Sequence, residues 1–220
     1  MAPDAPPKAV LLDWDGTLVD AWGAIHRAMT ETLLEHGLET WPAEETRRRI
    51  RSLKEYFPQA FGERWDAARI AFRDRYRAVH LQELRVLPGA LDLVRAAGAL
   101  GVPIAVVSNK TGEALRLEAA YLGWNAHFHR LVGSGDAPRD KPDPAPVSVA
   151  LEGTGIAPGA RVWLVGDSPI DVACATAAGC LPVVVGEPDG LDEADFGSAW
   201  RVGDCGRLAR ILRRYQNPVA

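Results

Sequence analysis

The chain has little cysteine, no long apolar run and no surplus of positive charge, and each shortage closes off a class of function. Three cysteines, Cys174, Cys180 and Cys205, stand among 220 residues. None forms a C-x-x-C pair, so a disulfide framework is not expected and reduced thiols in a cytoplasmic protein are. No apolar stretch approaches the about 18 residues of a membrane helix, so no membrane partner is expected. Acidic residues outnumber basic ones, 29 to 25, giving a net charge of -4. That balance leaves no electrostatic footprint for nucleic acid. Met1 to Pro7 holds three prolines and no apolar core, and reads as a disordered tail, not a signal peptide. With 47% hydrophobic and 25% charged residues, the chain suits one soluble domain plus a small second one.

A glycine-rich run, Gly153-Thr154-Gly155-Ile156-Ala157-Pro158-Gly159, lacks the context of a dinucleotide site. It precedes an apolar strand instead of following one.

What is present is concentrated in Val10-Leu11-Leu12-Asp13-Trp14-Asp15-Gly16-Thr17. An apolar strand runs into two carboxylates one residue apart. Side chains two apart on a strand share a face, so Asp13 and Asp15 converge where the strand ends. Such a pair repels unless a cation or a shared proton lies between them. Gly16 permits a sharp turn and close approach of backbone to a ligand. Thr17 adds a hydroxyl. Trp14, between the two acids, points the other way into packing.

Further apolar runs end in polar residues of the same kind. Val102 to Val107 leads into Ser108-Asn109-Lys110, and Val162 to Val165 into Gly166-Asp167-Ser168-Pro169-Ile170-Asp171. Lys141-Pro142-Asp143-Pro144 lies between them. From Leu87 onward, helices are predicted over Pro88–Leu100, Gly112–Leu122, Pro144–Glu152, Pro169–Ala178 and Asp204–Tyr215, the last with Asp204 as N-cap. Strands near Phe128–Val132 and over Leu181–Val185 complete the alternation. This pattern argues an α/β parallel sheet with helices on both faces. Residues 20–85 interrupt it with helical spacing alone: Ile25, Met29, Leu33 and Leu34, then Ile50, Leu53 and Phe57, then Ile70, Phe72, Tyr76 and Val79. Pro58 and Gly62 are read as breaks there.

In their order these motifs resemble motifs I to IV of the haloacid dehalogenase-like (HAD) hydrolases, over about residues 8 to 215. The resemblance implies a Rossmann-like core, residues 1–19 and 86–220, and a small α-helical C1 cap, residues 20–85. It implies Asp13 as the nucleophile that forms an aspartyl-phosphate, with Mg²⁺ as cofactor. Asp13, Asp167 and the backbone carbonyl of Asp15 would ligate the ion, and Asp171 directly or through its waters. Asp171 also reads as a first-turn acid favoured by the helix dipole. Asp15 is implied as general acid and base; dehalogenases lack an acid there and phosphonate-cleaving relatives carry alanine, so phosphoester chemistry is favoured. Ser108 is implied as donor to a phosphoryl oxygen, and Lys141 as the cation between phosphate and Asp13. Thr17 and Asn109 are implied in phosphate binding.

The helical insert carries Arg47, Arg48, Arg49, Arg51 and Lys54. On one helix Arg47, Arg51 and Lys54 share a face, which would meet an anionic substrate tail. The other reading is a solvated face laced by Glu44–Arg48 and Glu45–Arg49 pairs. Many C1-cap relatives have glycine where Arg51 stands. His127 and His129, placed on one strand, are read as a polar face before a metal pair. Trp22 and Trp41 are read either as pocket lining or as bundle packing.

The expected function is a Mg²⁺-dependent phosphatase of a small phosphorylated metabolite, working as a monomer or homodimer. Ser108-Asn109-Lys110 resembles the Thr-Asn-Lys of phosphoglycolate phosphatases. A phosphosugar mutase of the β-phosphoglucomutase type is the alternative, followed by a non-catalytic binding module.

Overall fold

A computed structural model describes residues 3–50, 53–186 and 193–216. The elements begin with β1 (Ala9–Leu12), β2 (Val19–Asp20), α1 (Trp22–Glu35), α2 (Ala43–Arg49), α3 (Leu53–Phe61) and α4 (Trp65–Glu83). They continue with β3 (Arg85–Val86), α5 (Ala90–Gly98), β4 (Ile104–Thr111), α6 (Gly112–Tyr121), β5 (Arg130–Ser134) and α7 (Ala145–Leu151). The last are β6 (Val162–Gly166), α8 (Pro169–Ala177), β7 (Leu181–Val185), β8 (Trp200–Val202) and α9 (Cys205–Gln216). Two compact units result, Met1–Val19 with Val86–Ala220, and Asp20–Arg85.

The larger unit is built on a six-stranded sheet ordered β5-β4-β1-β6-β7-β8, parallel at every pairing. Its inner strands are near-continuous apolar runs because both faces of the sheet are covered. All four residues of β1 and all five of β6 are buried. Alternation along the strands sorts the faces. Ala9, Leu11, Ala105, Val107 and Leu164 pack with Val147 and Leu151 of α7 and Ala175 of α8. Val10 and Leu12 therefore turn to the opposite face. Each fully buried Val or Leu contributes about 1.5–3 kcal/mol.

The order of the strands positions the site. The chain builds outward from β1 through β4 to β5, then crosses back to β6 on the other side of β1. The crevice at the carboxyl ends, where that direction reverses, is where open α/β sheets bind ligands. Register brings the motifs level: Leu12 stands opposite both Val106 and Val165.

The smaller unit is helical. Ile25, Met29 and Leu33 of α1 are buried, as are Phe57 and Phe61 of α3 and Phe72, Tyr76 and His80 of α4. The Phe57 and Phe61 rings stack at 5.3 Å and those of Phe72 and Tyr76 at 6.0 Å. Trp41 packs on Tyr56 within this cluster and donates to Thr46, which favours the packing reading for it. Leu34 and Ile70, expected inside, are largely exposed.

Other expectations are corrected. Pro58 does not break a helix but sits inside α3. The basic residues do not share one helix: α2 ends at Arg49, and Ile50 follows with φ -106° and ψ 79°. That turn carries the Ile50 side chain into the core. Arg51 lies outside the described residues. Arg49 pairs with Glu45 at 2.7 Å, one of the two expected solvated pairs. His127 and His129 are not on a strand, because residues Asn125–His127 form a 3₁₀ turn and β5 starts at Arg130. His129 Nε2 meets the Glu152 carbonyl at 2.9 Å. The short strands β2, β3 and β8 lacked any sequence signal. Among the described residues, no helix is long and apolar enough to cross a membrane.

Candidate active site

The site is assembled at the carboxyl end of β1. The Asp13 N–H donates to the Val165 carbonyl at 2.8 Å, which extends the ladder one residue past β1 and fixes where the Asp13 side chain leaves the sheet. Asp13, Asp167 and Asp171 each offer an oxygen within 4.8 Å of the others, and all three are buried. Three carboxylates at this spacing cannot all stay charged in a dry pocket without cations.

Lys141 supplies one. Its ammonium donates to Asp13 Oδ1 at 2.7 Å and to Asp171 Oδ1 at 2.6 Å. Burial pushes the Asp13 carboxyl up to about 7, against the pull of Lys141 and with the help of Asp171's charge. Burial disfavours the Lys141 charge too, but its two carboxylate partners outweigh that and hold it above the ordinary lysine range. A two-way clamp fixes the loop that carries Lys141. Its N–H donates to Asn109 Oδ1 and its carbonyl accepts from Asn109 Nδ2, both at 2.9 Å.

Asp171 is held from the other side. Its Oδ2 accepts from the Ser168 N–H at 3.1 Å and the Ser168 hydroxyl at 2.5 Å, closing a capping box at the start of α8. Helix cap and partner of Lys141 are thus one residue. Thr17 Oγ1 donates to Asp167 Oδ1 at 3.3 Å. Gly16 has φ +83°, and a Cβ there would collide with the Asp167 carboxylate. Gly166 is equally constrained by the Asp171 side chain.

Asp15 follows Trp14 in the turn beyond β1, where it bridges to Val19. Its Oδ1 lies 2.9 Å from Lys110 Nζ. Burial raises its carboxyl above the usual range; Lys110 opposes this and Glu118 adds to it. A buried acid that keeps its proton more tightly than usual suits proton donation near neutral pH. Ser108 is buried where the apolar stretch of β4 ends, its Oγ accepting from the Lys110 N–H at 3.2 Å. A hydroxyl that accepts one bond still has a proton to donate.

Asp13, Lys141, Asp167 and Asp171 thus form one cluster, with Asp15 in the turn that follows β1 and Ser108 within β4. Thr17 and Asn109, expected to touch phosphate, spend their side chains on Asp167 and on the Lys141 backbone. The sequence reading passed over Lys110 as an ion-pair partner and Glu118 altogether. Glu118 is fully buried on α6 beside Leu115 and Ala119. An acidic residue on an apolar helical stripe was the available signal.

Residues 10–185 match the family model described as haloacid dehalogenase-like hydrolase. The chain belongs to that family. It is 34% identical over 192 residues to the phosphoglycolate phosphatase of Rhodospirillum rubrum, covering 81% of this chain and 79% of that one. It is 30% identical over 184 residues to hexitol phosphatase A of Escherichia coli, covering 82% and 84%. Among solved structures, a predicted phosphoglycolate phosphatase from Haemophilus somnus superposes with a TM-score of 0.83 at 22% identity, over 95% of this chain and 99% of that one. At that identity the likeness speaks for the fold.

Proposed function

We propose that this hydrolase is a Mg²⁺-dependent phosphatase that dephosphorylates a small phosphorylated metabolite through an aspartyl-phosphate on Asp13. The observation that carries the reading is Asp13 itself: a buried carboxylate at the end of the central strand, 2.7 Å from a buried ammonium. A carboxylate is a weak nucleophile, and it serves where the phosphoryl group is held in line and its charge neutralised. Relatives that bear the names of phosphatases for glycolate and hexitol phosphates support the class and leave its substrate among small phosphoesters.

The donor set fits a hard divalent cation, since Asp13, Asp167 and Asp171 offer only carboxylate oxygens. Asp13 and Asp167 would hold the ion with the Asp15 carbonyl, and Asp171 directly or through water. Bound there, Mg²⁺ neutralises phosphoryl charge and aligns the group. The chain's own residues do the rest. Asp13 Oδ attacks phosphorus, and the bond to the leaving oxygen breaks. Asp15 gives that oxygen its proton. As a carboxylate, Asp15 then takes a proton from the water that attacks the phosphorus of the acyl phosphate, which restores Asp13 and releases inorganic phosphate. Ser108 donates to a phosphoryl oxygen. Lys141 keeps positive charge beside the nucleophile throughout. Asn109 and Thr17 hold Lys141 and Asp167 in place, and the helical unit acts as the cap that selects the substrate.

Phosphate release from a panel of phosphorylated metabolites, with Asp13→Asn run beside the native protein, tests this. Turnover of at least one member that Asp13→Asn abolishes is the expected result. No release above the Asp13→Asn background on any member would overturn it.

A further inference from the structure

We propose that Glu118, which belongs to none of the sequence motifs, is a positioning residue for Asp15 and acts through Lys110. The inference rests on Asp15 serving as the acid and base described above.

Glu118 is completely buried, and its carboxylate reaches the catalytic strand by two routes. One is direct: Trp14 Nε1 donates to Glu118 Oε2 at 2.7 Å, and Trp14 is the residue between Asp13 and Asp15. The other runs through Lys110, whose Nζ lies 2.8 Å from each Glu118 oxygen and 2.9 Å from Asp15 Oδ1. The Lys110 side chain is only 5% exposed. Its ammonium is therefore fixed between two carboxylates, one structural and one reactive.

Burying a carboxylate is costly, and well-packed apolar groups in its place are often neutral or stabilising. Stability alone gives such a residue little purpose. Direction does. A lysine stem has four rotatable bonds, and a lone Asp15 would leave the ammonium free to swing. Two oxygens of a fully buried Glu118 hold Nζ at one point, so the contact to Asp15 has one place to form. The indole of Trp14, packed edge-on against Trp124 at 5.9 Å and Phe128 at 6.4 Å, ties the same carboxylate to the backbone that bears Asp15. An acid held in one orientation delivers its proton to one oxygen.

The alternative is that Glu118 only neutralises Lys110 within the core. The two roles separate by leaving group. Phenyl phosphate needs a proton on its departing oxygen; 2,4-dinitrophenyl phosphate does not. The ratio kcat/KM reports the steps up to departure, so it isolates this event. Two variants are measured, Glu118→Gln, which keeps the shape, and Glu118→Asp, which keeps the charge and withdraws the carboxylate. Both are expected to lose about tenfold or more on phenyl phosphate and less than about twofold on the dinitrophenyl ester, a portion of the full acid–base contribution. Equal losses on the two esters, or no loss on phenyl phosphate in a variant with a cooperative thermal melt, would overturn the proposal. If Glu118→Gln does not fold, Glu118→Asp decides by the same criteria. Asp15→Asn in parallel separates the two levels. If it too spares phenyl phosphate, the role of Asp15 is wrong; if it is impaired and the Glu118 variants are not, only the positioning role fails.

Discussion

Lys141 Nζ donates to Asp13 Oδ1 across 2.7 Å, with the two side chains only 2% and 9% exposed. The same ammonium serves Asp171, so its loss strands two buried carboxylates at once. Removing one partner of a buried ion pair costs about 3–5 kcal/mol, because the other charge remains without compensation. Lys141→Met is expected to lower unfolding free energy by that order in urea titrations with chelator present. Phosphate release should vanish in parallel. A variant as stable as the native protein would mean the cluster is neutral as it stands.

Chelation is expected to abolish phosphate release, and added Mg²⁺ to restore it. The same ion should raise the melting temperature in a concentration-dependent way, as expected of a ligand held only by the folded cluster of Asp13, Asp167 and Asp171. A calorimetric scan with and without Mg²⁺ checks the second effect without any substrate. Undiminished turnover in excess chelator would contradict the assignment.

Gly16→Ala adds one methyl group in a conformation that L side chains rarely adopt, directed at the Asp167 carboxylate. The backbone cost is about 1–3 kcal/mol. Displacing Asp167 should cost more in function than in stability, about 10²-fold in turnover for a shift near 1 Å. Comparing the melt and the rate of this variant tells whether the glycine serves the turn or the carboxylate.

Burial pushes Cys174 and Cys205 up to about 12 and raises Cys180 as well. Thiolate is the reactive form, so at pH 8 these thiols stay protonated as well as hidden. A thiol-specific chromogenic disulfide is expected to react with none of them in the native protein. All three should react within minutes in denaturant. Rapid native labelling of any one would mean local opening of the segment that buries it.

The inner strands could be read from sequence because a run buried on both faces carries no polar interruption until its last residue. The chemistry stands at the end of β4 and one residue past β1 and β6, so fold and motif announced each other. β8 escaped because it has three residues and its Trp200-Arg201-Val202 shows no run. β2 and β3 have two residues each. The basic helix of the insert was misread because spacing alone assumes an unbroken helix, and the burial of Ile50 interrupts it. Within the site, Asp13, Asp15 and Asp167 sit in short local motifs. The Trp14–Glu118 bond joins residues 104 apart, and only the packing of α6 reveals it.

The chain departs from the sheet domain through β2 and comes back through β3, and these two strands pair with each other. Whatever the 66 residues Asp20–Arg85 do, the sheet domain meets them as a loop whose two ends are already tied together. Closing such a loop costs little more when it is long than when it is short. The helical insert is in this sense an exchangeable cassette. It can lengthen, shrink or be replaced by a different bundle while the groups at the carboxyl end of β1 keep their coordinates.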